Sequence, residues 1–213
     1  WDQAPMVAMS GTWEAYWRSR KRSWRQNVGR LQRRLARQGS VRLLRYRPEG
    51  AAYGDDDPRW DLYDACVELA QCSWQGSSTT GTTLSHRGVY RFLRDVHAMA
   101  ARCGAVDLNL LLLDERPIAF VYNYHHEGRI YGLRKGHDPA TAGFGPGTVL
   151  QRLMLEDSFR RGDQSYDFGV GSLACKQPWQ TSLATSFRYA HCPATAIRPQ
   201  LLRWKRWFDQ RRH

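Results

Sequence analysis

Between Trp13 and Leu35 the larger apolar residues fall at Trp13, Tyr16, Trp17, Trp24, Val28, Leu31 and Leu35. Spacings of three, four or seven line one helical face, which predicts one long or two short helices. Gly39 supplies the stop, and Val41 to Tyr46 reads as a strand of β-branched, aliphatic and aromatic residues interleaved with arginine. Asp57-Pro58 is a helix-start signal, with the acid as cap and proline in the first turn, for a helix running to about Cys72. The polar run within Gln75 to Ser85 predicts a loop on the substrate side.

Helical spacing returns from Arg87 to Cys103, closed by Gly104 in the manner of a left-handed cap. Three strands follow. Leu108 to Leu113 is aliphatic except for Asn109, while Ile118 to His125 and Arg129 to Arg134 flank the turn His126-Glu127-Gly128. This is a β-meander. A helix over Val149 to Arg160 and a strand over Gln164 to Val170 come next, and Pro199 opens a basic amphipathic helix with Leu201, Leu202, Trp204, Trp207 and Phe208. No internal repeat is visible. The expected fold is α/β, a mixed central sheet with its meander flanked by helices.

Charge divides the 213 residues more sharply than hydropathy does. Of a net charge of +12, residues 1–50 carry +9, residues 198–213 carry +5 and the body between them carries −2. Arginines fill the polar face of the first helical stretch. Such a face is either solvated or a surface for a phosphate-rich partner such as RNA, a nucleotide-linked sugar or an anionic membrane. Five cysteines without a Cys-x-x-Cys pair or a zinc-like spacing suggest reduced thiols and no metal site. The longest apolar run, Ile118 to Tyr122, is far short of a membrane span. No signal segment opens the sequence, and the reduced thiols read as those of a cytoplasmic chain. It opens at Trp1, without an initiator methionine, and so also reads as a fragment.

The candidate chemistry centres on Gly143-Phe144-Gly145-Pro146-Gly147-Thr148, which joins the last meander strand to a helix. Glycines let the backbone approach a ligand, and the free amides at a helix start favour a pyrophosphate. The turn matches neither the Walker pattern nor the dinucleotide fingerprint, and on its own such a turn is as often structural. A meander, a glycine turn, a helix and one more strand resemble the core of the GNAT acyltransferases. More narrowly, the stretch from about residue 60 to 190 resembles their FemAB-like and CelD-type branch, associated with cell-envelope and polysaccharide biosynthesis. The pieces occur in order: Ser73-Trp74-Gln75, Pro117-Ile118-Ala119, Tyr131 with Lys135, Pro146-Gly147-Thr148 with Leu150, Asp167-Phe168 with Gly171, and Lys176 with Trp179. Two positions depart from the pattern, Ser172 in place of an acid and Cys175 in place of tyrosine.

The resemblance implies an acyl thioester lying between two splayed strands, with its pyrophosphate at the glycine turn. Donor binding then falls to Lys135, Gly136, Phe144, Gly145, Gly147 and Thr148, with acyl-CoA (acetyl-CoA) as co-substrate. Amide formation needs a base and donors for the developing oxyanion. Asp167 is the first candidate base, or else a carboxylate that caps a turn or pairs with Lys176. Lys176 itself pairs with phosphate or makes a structural ion pair. Only one of His125 and His126 can face the cleft, and His125 joins the catalytic candidates. Trp74 is core or an aromatic platform under a substrate, and Tyr131 joins it on the substrate side.

Residues 1–50 are expected to be a basic helical segment plus a strand, the remnant of or link to a preceding half-domain, since many relatives pair two GNAT-like units. Residues 51–197 form the acyltransferase domain, the C-terminal unit of such a pair, and 198–213 the basic helix. The function implied is transfer of an acyl group from acyl-CoA to an amine or hydroxyl of an envelope or polysaccharide-related acceptor. The rivals are an aminoacyl-tRNA-dependent transferase, which the basic N-terminal segment favours, and a non-catalytic module that binds nucleic acid or protein. Peripheral membrane contact is a further expectation for the arginine-rich face.

Overall fold

The computed structural model describes residues 2–73, 76, 83–187, 200, 201, 204, 205 and 207. Its elements run β1 (Asp2–Ala8), α1 (Trp13–Ser19), α2 (Arg22–Ala36), β2 (Val41–Tyr46), α3 (Trp60–Cys72), α4 (Tyr90–Arg102), β3 (Val106–Leu113), β4 (Arg116–His126), β5 (Arg129–His137), α5 (Pro146–Arg161), β6 (Ser165–Asp167) and β7 (Ser182–Ser186). Among the described residues the strands form one seven-stranded sheet in the order β2-β3-β4-β5-β6-β1-β7. Neighbours pair antiparallel except β5 and β6, which run parallel. The expected mixed α/β sheet with its meander is present.

Both meander turns are two residues long with positive φ throughout: Asp114 (47°) and Glu115 (66°), then Glu127 (47°) and Gly128 (73°). That geometry matches the right-handed twist of the flanking strands. Alternation along β3 gives each face its own core. Leu108, Leu110 and Leu112 pack with α3 and α4, whereas Leu111 joins the core shared by α1, α2 and α5. α5 is buried at Val149, Leu150, Gln151, Met154, Leu155 and Ser158. That is more than one stripe, because the sheet lies on one side of it and α2 on another.

Residues 2–46 are built into this same sheet and core. β1 lies between β6 and β7, β2 caps the meander, and Trp13, Tyr16, Val28 and Leu35 are buried in the α5 core. β1 was not legible in the sequence because Asp2, Gln3 and Pro5 do not read as an interior strand. Pro5 is tolerated because β6 pairs only with Met6 to Ala8, and its carbonyl accepts from the Phe168 N–H at 3.0 Å. The basic C-terminal helix and the 75–85 loop fall largely outside the described residues. So do Trp74 and Cys192.

Candidate active site

β5 and β6 pair over only three residues, Arg129–Tyr131 with Ser165–Asp167. Beyond Asp167 the chain turns away through Phe168 and Gly169, so the edge of β5 from Gly132 to Lys135 is no longer paired with β6. Between the two segments opens a cleft of about 620 Å3. Four consecutive β5 residues, Gly132, Leu133, Arg134 and Lys135, form one wall, Val170 to Ser172 with Cys175 and Lys176 the other, and Asn123, Gln151 and Tyr166 the floor. The β4–β5 register shifts so that Tyr122 faces Arg134 while Asn123 faces Gly132. Leu133 is thus the extra residue of a β-bulge, which locally frees the backbone from the ladder.

Gly132 is required here: a Cβ would stand 2.9 Å from the Tyr166 hydroxyl oxygen and 3.0 Å from the Asp167 carbonyl oxygen. That hydroxyl donates to Asn123 Oδ1 at 3.1 Å, and Asn123 Nδ2 donates to Asp107 Oδ2 at 2.9 Å. Asp107 is fully buried and receives Arg45 at 2.7 and 3.2 Å. Arg45 also donates to Asp157 and Ser158, and Arg47 makes a two-pronged contact with Asp163 at 2.8 and 3.0 Å. The cleft floor therefore rests on a buried ion network drawn from β2, β3 and the end of α5. Burial alone would raise the Asp107 carboxyl, but Arg45 and Arg47 hold it below its ordinary value.

Lys176 is 7% exposed, and its ammonium donates to the carbonyls of Gly169 at 2.8 Å and Val170 at 2.9 Å. Burial pushes its pKa down and nearby Lys135 pushes the same way, while Cys175 and Asp167 oppose. Lys135 Nζ lies 3.9 Å from Cys175 Sγ. With Arg134, three cations line the cleft, and among the described residues lining it there is no carboxylate.

Of the sequence candidates, Lys135 and Lys176 therefore meet in one cleft. Asp167 sits at its edge but is not part of its wall: its Oδ1 receives the Gly169 N–H at 2.7 Å, a turn cap. His125 lies opposite Ile130 at the closed end of the strand pair, 3.5 Å from Asp163, because the alternation of β4 turns it toward the ion network. Tyr131 is 39% exposed, pairs with Asp167 and Tyr124 in the sheet, and is not in the wall. Gly136 is buried opposite Phe120.

The glycine turn is a 3-10 stretch, Pro139–Phe144, followed directly by α5. Gly145 has φ 63°, and a Cβ there would meet Leu31 Cδ1 at 2.8 Å, so that glycine serves helix packing. The Phe144 ring packs on the same core and faces the Arg34 guanidinium at 5.5 Å. Gly147 is more open, its nearest neighbour being His137 Nδ1, 4.0 Å from a would-be Cβ at the end of β5. None of residues 143–148 lines the cleft, but α5 begins just past the end of β5, on the side where the strands part.

The sequence reading missed Asn123, Gln151, Tyr166, Gly132 and Arg134. A signal existed for the first: Asp107, Asn109 and Asn123 interrupt otherwise apolar strands, and a buried polar group needs a partner. A second hollow, about 610 Å3, lies between the α1–α2 turn and residues 177–181, with Arg20, Lys21 and Trp24 in its lining. It touches neither splayed strand. Among the described residues no three potential metal ligands cluster, and no helix is long and apolar enough to cross a membrane.

A family profile described as "Acetyltransferase (GNAT) domain" matches residues 22–179. Among solved structures, FemX matches with TM-score 0.58 and 14% identity, over 85% of this chain and 59% of its own. L-PGS from Bacillus licheniformis matches with TM-score 0.52 and 13% identity, over 79% and 45%. The C-terminal domain of a putative lysylphosphatidylglycerol synthetase from Agrobacterium fabrum gives 0.50 and 11%, over 84% and 50%. The chain thus spans about half the length of the structures it matches, and at these identities the likeness is one of fold. No curated protein matches the sequence.

Proposed function

Since this chain belongs to the GNAT acetyltransferase domain family, we propose that it transfers an acyl group from a coenzyme A thioester to an amine or hydroxyl of an envelope or polysaccharide-related acceptor. The observation that carries the choice of donor is the cation-lined cleft, whose described wall holds no carboxylate. A coenzyme A thioester brings negative charge and an uncharged acyl carbonyl, neither of which Arg134, Lys135 and Lys176 repel. An aminoacyl ester brings an ammonium, which three cations repel and no carboxylate in the described wall receives.

In this reading the thioester lies along the stretch of β5 that β6 leaves, with its carbonyl oxygen directed at the bulge around Leu133 and at Lys176. Two of the Lys176 protons are engaged by Gly169 and Val170. The third is left to point at the developing oxyanion as a preorganised donor. The acceptor nitrogen or oxygen bonds to the carbonyl carbon, its proton passes to a base, and the C–S bond breaks to release the thiolate, which takes up a proton. Asp167 is the base proposed, reached at the cleft edge once the Gly169 turn moves. Gly147 and Thr148 at the start of α5, with Arg34 nearby, receive the pyrophosphate. The reaction is placed in the cytoplasm, where coenzyme A is available.

The aminoacyl-tRNA reading keeps one observation in its favour, the exposed arginines of α2 at Arg22, Arg30, Arg33 and Arg34. Thiol release from acetyl-CoA in the presence of amino sugars and polyols tests the proposal, with Lys176→Met as control. Acceptor-dependent thiol release that falls about 10²–10³-fold in the variant supports it. Release that is absent, or unchanged in Lys176→Met, removes the assigned roles.

A further inference from the structure

On the opposite face of the sheet from α5, a hollow of about 300 Å3 is walled by Leu84, Phe92, Leu93, Val96, Tyr63 and Tyr122. It borders the cleft at two places. Leu133 and Arg134 line both spaces, and Thr83 lines the cleft while its neighbour Leu84 lines the hollow. The join lies at the bulge of β5, where the acyl carbonyl is placed by the function proposed above. The two spaces differ in chemistry. The cleft is cationic and polar, whereas the hollow is aliphatic and aromatic, with Arg134 at the shared edge as its one charged group among the described residues.

A thioester held along β5 with its carbonyl at Leu133 has its phosphates toward the open end of the strand and its acyl carbon pointing the other way, past the strand edge. We propose that the hollow receives the acyl chain of the donor, so that the domain selects thioesters several methylenes longer than acetyl. The proposal rests on coenzyme A being the donor carrier. Three features fit it. At about 300 Å3 the space is at the lower limit of small-ligand pockets, far more than a methyl group fills. Its walls are mostly aliphatic and aromatic. It holds no carboxylate among the described residues, so an acyl group carrying an ammonium gains nothing there.

Each methylene moved from water into such a space is worth about fourfold in affinity. The test is isothermal titration of the chain with acetyl-CoA and with hexanoyl-CoA, in the wild type and in Val96→Trp. Val96 is half-buried on α4 and outside the packed core, so a larger side chain fills the hollow without displacing core residues. The expected result is hexanoyl-CoA binding at least tenfold tighter than acetyl-CoA to the wild type. In Val96→Trp that preference disappears. Equal affinities in the wild type, or a preference that survives Val96→Trp, overturn the acyl pocket alone and give the hollow to the acceptor. Binding of neither thioester overturns the donor reading itself, and the acyl pocket with it.

Discussion

Asn123 donates to the carboxylate of Asp107 at 2.9 Å, a bond that ties the floor of the cleft to the charge network below it. On the other side of Asn123 stands the Tyr166 hydroxyl, which is held against Gly132 where β5 and β6 part. The position of the cleft floor is thus set by residues of β2 and β3 that never reach the cleft. A buried ion pair adds little net stability over an apolar replacement, but removing one partner strands the other.

Asp107→Ala is therefore expected to destabilise the chain by about 3–5 kcal/mol. For a chain of this size that is a fall of roughly 10 °C in the unfolding midpoint. Thermal unfolding followed by circular dichroism reads it. A fall of less than about 2 °C would mean that Asp157 and Asp163 suffice to hold Arg45.

His97 is fully buried, with its ring nitrogens against the Tyr122 hydroxyl at 2.9 Å and the Pro58 carbonyl at 2.6 Å. Desolvation, helped by Arg94, lowers its pKa below the ordinary 6.5. The unfolded chain then binds more protons than the folded one below about pH 6.5, so stability is lost as the pH falls through that value. The unfolding midpoint should drop between pH 7.5 and 5.5, and drop less in His97→Gln. An equal drop in both would assign the pH dependence elsewhere.

The hydroxyl of Tyr63 is buried and makes no hydrogen bond among the described residues, and burial pushes its pKa up. An unsatisfied buried donor costs about 1–3 kcal/mol. Tyr63→Phe removes that cost without a cavity, so its unfolding midpoint should equal or exceed that of the wild type. A clear decrease would show that the hydroxyl has a partner.

Much of the fold could be read from periodicity. The limits of β2 and the two-residue turn after β4 agree with the spacing of apolar residues and the Glu127-Gly128 pair, because each is determined locally. What escaped was set by distant partners. β1 becomes a strand because β6 and β7 flank it, not because of its own composition. Arg45 looks like a solvated strand arginine, yet three carboxylates, at positions 107, 157 and 163, bury it. The same holds for the site. Lys135 and Lys176 were legible through the family pattern, whereas Asn123, Gln151 and Tyr166 meet only after β4, α5 and β6 assemble. The glycine turn shows the opposite limit: Gly145 is explained by its contact with Leu31, which no local pattern reveals.

The most direct measurement is isothermal titration of the chain with acetyl-CoA, repeated with Gly147→Asp, which sets a carboxylate at the start of α5 without a close clash. The account predicts micromolar binding by the wild type and its loss in the variant. No binding by the wild type, with salt-sensitive affinity for aminoacyl-tRNA instead, would contradict it.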